Sequence, residues 1–226
     1  MADRGAGVAI IFDLDGTLVD TAPDLAAALN AVLISEGHAP VSPSDLRHLV
    51  GHGVRAMFEH AFLRTSADVS GERMANLTEQ FLAHYRTNIA RSSKPFPRVP
   101  ETLDRLANTG AGLGVCTNKA HDLTELLLNE LSLSRHFPAV VGGGRTPYSK
   151  PDPRHVRAVM KALNGNCQRA VFVGDSVIDV QAARAAEIPV IAMSYGYTPV
   201  PARELGADAV LDDFAELPDT ISRLIG

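Results

Sequence analysis

Short apolar runs that end in polar residues recur along this chain. The first, Val8–Phe12, is rich in β-branched residues and stops at Asp13. A continuous apolar run of this length is typical of a strand buried on both faces, as in a parallel sheet. Similar runs predict three further strands and two weaker candidates: Leu113–Cys116, Ala170–Val173, Pro189–Met193, and then Ala139–Val141 and Val210–Leu211.

Helical periodicity separates several of these predicted strands. Val156, Val159 and Leu163 occupy positions i, i+3 and i+7, which places them on one face of a helix. The leucines between Leu123 and Leu131 follow a similar spacing. Strands that alternate with amphipathic helices are typical of a doubly wound α/β fold, so we expect a mainly parallel sheet with helices on both faces.

The stretch between the first strand and residue 97 has a different pattern. It shows helical periodicity almost throughout and no convincing strand. Ser42-Pro43 combines an N-cap residue with proline at the first helical position, which is a helix start signal. The sequence therefore predicts an α/β core of residues 1–21 and 98–226, with a small helical cap domain of residues 22–97 inserted after the first strand.

Composition argues against several classes of protein. The 226 residues carry a net charge of −5, and the 21 lysines and arginines form no basic patch of the kind that binds nucleic acid. No apolar stretch approaches the roughly 18 residues of a membrane span, and the N-terminus lacks the order of a signal peptide. Cys116 and Cys167 belong to no metal motif, so two reduced thiols are expected. We expect a soluble cytoplasmic protein, monomeric or homodimeric, without nucleic-acid or membrane partners.

Polar residues suited to one chemistry follow several predicted strands. Because ligands bind at the carboxyl ends of the strands in an open α/β sheet, we expect these side chains to converge at one edge. They are Asp13, Asp15, Thr117, Asn118, Lys150, Asp175 and Asp179.

This set suits phosphoryl transfer. Carboxylates alone would repel a phosphate, so a cation must lie among them, and hard oxygen ligands favour Mg²⁺. The metal and the Lys150 ammonium would neutralise charge on the transferring oxygens, which Thr117 can also bind. Asp13 can act as the nucleophile. Asp15 can protonate the leaving alkoxide and later accept a proton from water.

Four segments in order resemble the motifs of the haloacid dehalogenase superfamily: Asp13–Thr17, Thr117, Lys150-Pro151 and Gly174–Asp179. The resemblance implies a Rossmann-like core with a cap, a Mg²⁺ cofactor and hydrolysis of a small phosphate ester. It implies that Asp13 is the nucleophile, that Asp15 is the general acid and base, and that Thr117 and Lys150 bind the phosphoryl group. The implied metal ligands are Asp13, Asp15 through its backbone oxygen, and Asp175, with Asp179 supporting them from behind.

Parts of the sequence are similar to one group of the superfamily, the phosphoglycolate phosphatases. The similarity lies in Asp13–Leu25 and in the segment Gly51–Arg55, which is called the cap loop below. It implies 2-phosphoglycolate as the substrate. In the loop, Gly51 and Gly53 give a pliable turn, His52 could donate a hydrogen bond, and Arg55 could bind a carboxylate through its fork of donors. Arg55 could equally be a solvated residue of the cap helix.

Several alternatives stay open at this point. A phosphomutase similar to β-phosphoglucomutase would share the chemistry up to the aspartyl-phosphate, and other sugar phosphates or pyrophosphate could be substrates. A receiver-type signalling domain also phosphorylates an aspartate, although the length and the insertion argue against it. Locally, Thr117-Asn118 could cap the following helix, and Asp179 could favour a helix N-terminus. Histidines other than His52, such as His48, are expected to be ordinary surface or packing residues.

Overall fold

The computed structural model describes residues 7–63, 71–163 and 169–225. Its strands are β1 Val8–Phe12, β2 Val19–Asp20, β3 Lys94–Pro95, β4 Gly112–Ala120, β5 Ala139–Gly143, β6 Arg169–Gly174, β7 Val190–Met193 and β8 Ala209–Leu211. Six of them form a parallel sheet in the order β5-β4-β1-β6-β7-β8, while β2 and β3 form a separate antiparallel pair.

Helices and short 3₁₀ turns connect these strands. The helices are α1 Ala22–Ser35, α2 Pro43–Leu46, α3 Val54–Phe62, α4 Gly71–Thr87, α5 Val99–Ala107, α6 His121–Glu130, α7 Pro153–Ala162, α8 Val177–Ala185 and α9 Leu217–Ile225. The 3₁₀ turns are Arg47–Leu49, Ser134–His136, Ala202–Glu204 and Phe214–Glu216.

The first strand lies at the centre of the sheet because it is apolar throughout. All five of its residues are buried, and Ile10 aligns with Leu113 of β4 on one side and Val171 of β6 on the other. Successive side chains point to opposite faces, so Ile10 belongs to one apolar cluster and Ile11 to the other. The six apolar runs correspond to the six strands of the parallel sheet, which confirms the strand predictions.

Helices cover both faces of the sheet. Leu103 of α5, Leu127 of α6 and Leu217 of α9 are buried in the cluster on one face. Val156 of α7 and Val180 of α8 are buried in the cluster on the other face. This two-sided packing confirms the doubly wound α/β fold.

Between β2 and β3 the described residues are mainly helical, as their periodicity predicts. Ser42 caps α2 by accepting a hydrogen bond from the Asp45 backbone N–H, and Pro43 is the first helical residue. Phe58 of α3 and Phe81 of α4 are buried, with ring centroids 6.2 Å apart. A small aromatic core therefore holds these helices together.

The expectation of no strand before residue 97 is wrong at β3. Lys94 aligns with Asp20 and Pro95 with Val19, so the chain leaves the core through β2 and returns beside it through β3. Strands of two residues are too short to produce a period-2 pattern, which is why the sequence did not reveal them. That residues 22–97 fold as a separate domain stays a prediction.

A buried carboxylate fixes the base of the helical segment. Asp24 of α1 is 3% exposed and accepts hydrogen bonds from the backbone N–H groups of Ser92 and Ser93 and from the Ser93 hydroxyl. These residues precede β3, so one side chain ties the outgoing chain to the returning chain.

Two further sequence expectations concern cysteine chemistry and membranes. Cys116 is a free, buried thiol in β4, and burial raises its pKa to about 12. Cys167 lies outside the described residues. In the part of the chain that the structure describes, no helix has the length and apolarity needed to cross a membrane.

We predict that Asp24→Ala lowers the free energy of unfolding by about 2–3 kcal/mol, because it leaves three donors near residues 92–93 without their acceptor. Equilibrium unfolding in urea measures this change. Glu79→Ala, which removes an exposed acid from α4, serves as the control and should change stability by no more than about 0.5 kcal/mol. Equal effects of the two substitutions would contradict the assigned role of Asp24.

Candidate active site

The carboxyl ends of β1, β4 and β6 meet at one edge of the sheet. The Asp13 backbone N–H donates to the Val173 carbonyl over 2.9 Å, which places the end of β1 beside the end of β6. A cavity of about 300 Å³ opens at this edge. Its lining brings together most of the residues singled out from the sequence: Asp13, Asp15, Gly51, His52, Thr117, Asn118, Lys150 and Asp175.

Lys150 bridges two buried carboxylates. Its Nζ lies 2.7 Å from Asp13 Oδ1 and 2.7 Å from Asp179 Oδ1, and its side chain is 3% exposed. Burial alone would lower the pKa of Lys150, but the two carboxylates outweigh burial and hold this pKa above its ordinary value. Asn118 fixes the lysine, since its side chain accepts from the Lys150 N–H and donates to the Lys150 carbonyl.

Asp13 has unused capacity to bind a cation. Burial raises its pKa to about 7, and the Lys150 charge opposes part of that rise. Although Lys150 Nζ is close, no hydrogen bond of acceptable geometry reaches Asp13 Oδ1 from the described residues. An ionised Asp13 would therefore gain from a second positive charge at this oxygen.

Asp175 is held from two directions. The Thr17 hydroxyl donates to its Oδ1 and the Tyr197 backbone N–H donates to its Oδ2, each over 2.7 Å. Burial raises the pKa of Asp175, and the neighbouring charges of Asp179 and Asp13 raise it further. One carboxylate oxygen from each of these three aspartates lies within 4.8 Å of the others. Three carboxylates around one ammonium leave an excess of negative charge, which suits a divalent cation with oxygen ligands.

The turn after β1 approaches Asp175 closely because residue 16 is glycine. Gly16 has a φ of +85°, and a Cβ atom built there would lie 2.5 Å from Asp175 Oδ2. Any larger residue would both strain the backbone and push the carboxylate away.

Asp179 lies in the first turn of α8, as the sequence indicated, and it also contacts Lys150. It is the N3 residue of α8 in a capping box, in which it accepts from the Ser176 N–H and Ser176 Oγ accepts from the Asp179 N–H. Its other oxygen contacts Lys150. One carboxylate thus anchors both the helix and the lysine.

Thr117 and Asn118 lie within β4, which continues to Ala120, and α6 begins at His121. The interpretation that they cap this helix is wrong, because the strand extends past them. Thr117 is 2% exposed, and His155 Nε2 lies 3.1 Å from its carbonyl oxygen. A tautomer of His155 with a proton on Nε2 would donate to this oxygen and fix the strand end.

Lys119 is a further buried cation at this edge of the sheet, and it was not predicted from the sequence. Its Nζ lies 3.2 Å from Asp15 Oδ1 and 2.7 Å from the hydroxyl oxygen of Tyr85 in α4. Burial alone would lower the pKa of Lys119, but Asp15 and Tyr85 raise it above its ordinary value. The position directly after Thr117-Asn118 at a strand end is a signal that could have identified this lysine.

The cap loop is only partly at the cavity. Gly51 and His52 line it together with His48, which was expected to be an ordinary residue. Gly53 lines an adjoining cavity of about 360 Å³. Arg55 lines neither cavity: its side chain is 65% exposed, and its Nε donates to Glu59 Oε1 over 2.7 Å.

The chain is similar to known proteins over most of its length. The family model described as haloacid dehalogenase-like hydrolase matches residues 10–193, which include all seven strand-end residues of the candidate site. A crystal structure described as a predicted phosphoglycolate phosphatase from Haemophilus somnus superposes with a TM-score of 0.87 at 28% identity and covers 98% of this chain and 99% of its own.

Two curated relatives are similar over almost their whole length. A phosphoglycolate phosphatase of Agrobacterium fabrum is 43% identical over 226 residues, covering 100% of this chain and 97% of the relative. A phosphoglycolate phosphatase of Caulobacter vibrioides is 45% identical over 219 residues, covering 97% of this chain and 92% of the relative. The chain therefore belongs to the haloacid dehalogenase-like hydrolase family and is a phosphoric monoester hydrolase similar to phosphoglycolate phosphatases.

Proposed function

We propose that this enzyme hydrolyses 2-phosphoglycolate to glycolate and phosphate, with Mg²⁺ as cofactor and Asp13 as nucleophile. The observation that carries the proposed substrate is the identity of 43% and 45%, over nearly the full chain, to two proteins named phosphoglycolate phosphatase. The cavity supports the proposed chemistry, because it combines carboxylates, a threonine hydroxyl and an ammonium group at one sheet edge.

In the proposed reaction the Asp13 carboxylate attacks phosphorus, and the bond between phosphorus and the ester oxygen breaks. Asp15 gives its proton to the departing glycolate oxygen. Water then attacks phosphorus in the aspartyl-phosphate and displaces Asp13, while Asp15 accepts the proton that the water loses. One ester and one water become glycolate and phosphate, and both aspartates return to their starting forms.

Lys150 and Thr117 would bind the transferring phosphoryl group. The Lys150 ammonium has three N–H donors, one of which is hydrogen-bonded to Asp179. Asp13 Oδ1 lies 2.7 Å away without hydrogen-bond geometry, so at least one donor is left for a phosphate oxygen. Thr117 lines the same cavity from β4, the strand beside β1. The position of Asn118, which holds both backbone groups of Lys150, would keep this donor in place during turnover.

The residues present fit Mg²⁺. The Asp13 and Asp175 side chains and the Asp15 backbone oxygen would hold the ion, which would neutralise charge on the phosphoryl group when bound. The buried Asp13 Oδ1, which lacks a hydrogen bond from the described residues, is one place for such a ligand bond. Asp179 would support the site from behind, because its oxygens contact Lys150 and the start of α8.

A panel of phosphate esters tests the substrate. We expect 2-phosphoglycolate to give the highest kcat/KM, with free phosphate released over many turnovers and no bisphosphate activator required. The panel should include sugar phosphates, N-acetylmuramate 6-phosphate and pyrophosphate. A requirement for a bisphosphate would favour a phosphomutase instead, and a single turnover that stops at the phosphorylated protein would favour a phospho-acceptor domain.

Asp13→Asn tests the nucleophile. The amide keeps the shape of the side chain but removes the attacking charge, so kcat should fall at least about 10³-fold. Substrate binding, measured by calorimetry, should change much less than turnover. Asp219→Asn, the same substitution at an exposed position of α9, is the control and should keep normal kcat. Near-normal kcat in Asp13→Asn would exclude the proposed mechanism.

Chelation tests the metal. We expect EDTA to abolish activity, Mg²⁺ to restore it, and Ca²⁺ to inhibit because its looser coordination misplaces the attacking oxygen. Asp13 has a raised pKa of about 7 in the metal-free protein, and metal binding requires the carboxylate form. The Mg²⁺ concentration for half-maximal activity should therefore rise as the pH falls from about 8 to about 6. Full activity after exhaustive chelation, with no metal found by elemental analysis, would rule the metal out.

A further inference from the structure

A second buried lysine lies beside the proposed phosphoryl site and has no role in the chemistry described so far. The Lys119 side chain is 5% exposed, lines both the 300 Å³ cavity and the adjoining 360 Å³ cavity, and lies at the end of β4. It contacts Asp15 of the core and Tyr85 of α4, one of the helices α1–α4 between β2 and β3 that are called the cap helices below. It is therefore placed where the part of a substrate beyond its phosphate would lie.

The charges around the two lysines differ. Lys150 has two carboxylates at 2.7 Å. Lys119 has one carboxylate at 3.2 Å, and its other hydrogen-bond partner is the uncharged hydroxyl of Tyr85. Of the three N–H donors on the Lys119 ammonium, two have partners among the described residues. Lys119 thus keeps one donor for another anion, and it has one carboxylate beside it where Lys150 has two.

The other cationic candidates for this task are placed less well. Among the described residues that line the two cavities, Lys119 and Lys150 are the lysines, and there is no arginine. Arg55 is exposed and already paired with Glu59. For a second anionic group on a substrate whose phosphate lies at Lys150, Lys119 is therefore the buried ammonium that remains in these cavities.

We propose that Lys119 binds the carboxylate of the substrate and so selects phosphate esters of small hydroxy acids. This inference rests on the proposed hydrolysis of 2-phosphoglycolate and names the side chain that recognises its acid group. In the complex, the substrate carboxylate shares the Lys119 ammonium with Asp15. A charged acceptor at a buried ammonium makes a stronger hydrogen bond than a neutral one, which gives the selection its energy.

Tyr85 is the positioning residue for this contact. It is 1% exposed and its ring lies 5.8 Å from that of Phe81, nearly parallel to it, so packing fixes its hydroxyl. Lysine has a long flexible side chain, and the hydroxyl limits the positions that the ammonium can adopt. The cap helices thereby contribute to substrate choice through α4, in addition to the loop around His52.

Matched substrates make the test selective. Ethyl phosphate has a methyl group in place of the carboxylate of 2-phosphoglycolate and is otherwise the same ester. For Lys119→Met we expect the ratio of kcat/KM for 2-phosphoglycolate to kcat/KM for ethyl phosphate to fall at least about tenfold, the loss typical of one charge-assisted hydrogen bond. Tyr85→Phe should lower the same ratio less, mainly through a higher KM for 2-phosphoglycolate. Lys161→Met, which removes an exposed lysine of α7, should leave it unchanged.

Each outcome decides a different point. If Lys119→Met leaves the ratio of the two kcat/KM values unchanged, or lowers kcat/KM equally for both esters, the proposal is overturned. Lys119 would then affect the reaction without binding the substrate carboxylate. A selective loss in Arg55→Ala with none in Lys119→Met moves the role to Arg55 and also overturns it. A wild-type enzyme that does not prefer 2-phosphoglycolate to ethyl phosphate overturns the proposed substrate, and the role of Lys119 with it.

Discussion

The contact of one ammonium group with two buried carboxylates is the interaction on which the site depends. Lys150 lies 2.7 Å from both Asp13 and Asp179, and Asp175 adds a third carboxylate nearby. Burial is the main cause of the raised pKa values of Asp13 and Asp175, and repulsion from the neighbouring carboxylates adds to it, because one ammonium does not balance three anions. Additional positive charge would therefore stabilise the ionised carboxylates, and the proposed metal ion would supply it.

The fold can hold such a charge arrangement because each charged group is also bonded to the scaffold. Asp179 completes the capping box of α8, and Asp175 accepts from the Thr17 hydroxyl and the Tyr197 backbone. Asn118 of β4 holds the backbone of Lys150, which lies between β5 and α7. Removing one charge would therefore also disturb a helix start or a strand end, so local structure and chemistry depend on the same residues.

The sequence predicted those features that leave a local pattern. Buried strands leave continuous apolar runs, and in an open parallel sheet the residues that follow them share one edge, so Asp13, Thr117 and Asp175 could be expected together. Features that join distant segments leave no such pattern. Lys119 contacts Tyr85, which lies 34 positions away in a segment with its own helical periodicity. The two-residue strands β2 and β3 were missed for a related reason, since pairing alone defines them.

Tyr197 links a proposed metal ligand to the point where the chain leaves the core. Its backbone N–H holds Asp175, while its hydroxyl accepts from the N–H groups of Thr21 and Ala22 and donates to Asp20. The point where the chain leaves the core is thus bonded to the same residue as a proposed metal ligand. The contact of Lys119 with Tyr85 joins α4 to the core at a second place, beside Asp15. The strand-end carboxylates keep their own bonds to the core, so the two contacts at Tyr197 and Lys119 are the places where the helices between β2 and β3 would influence the proposed site.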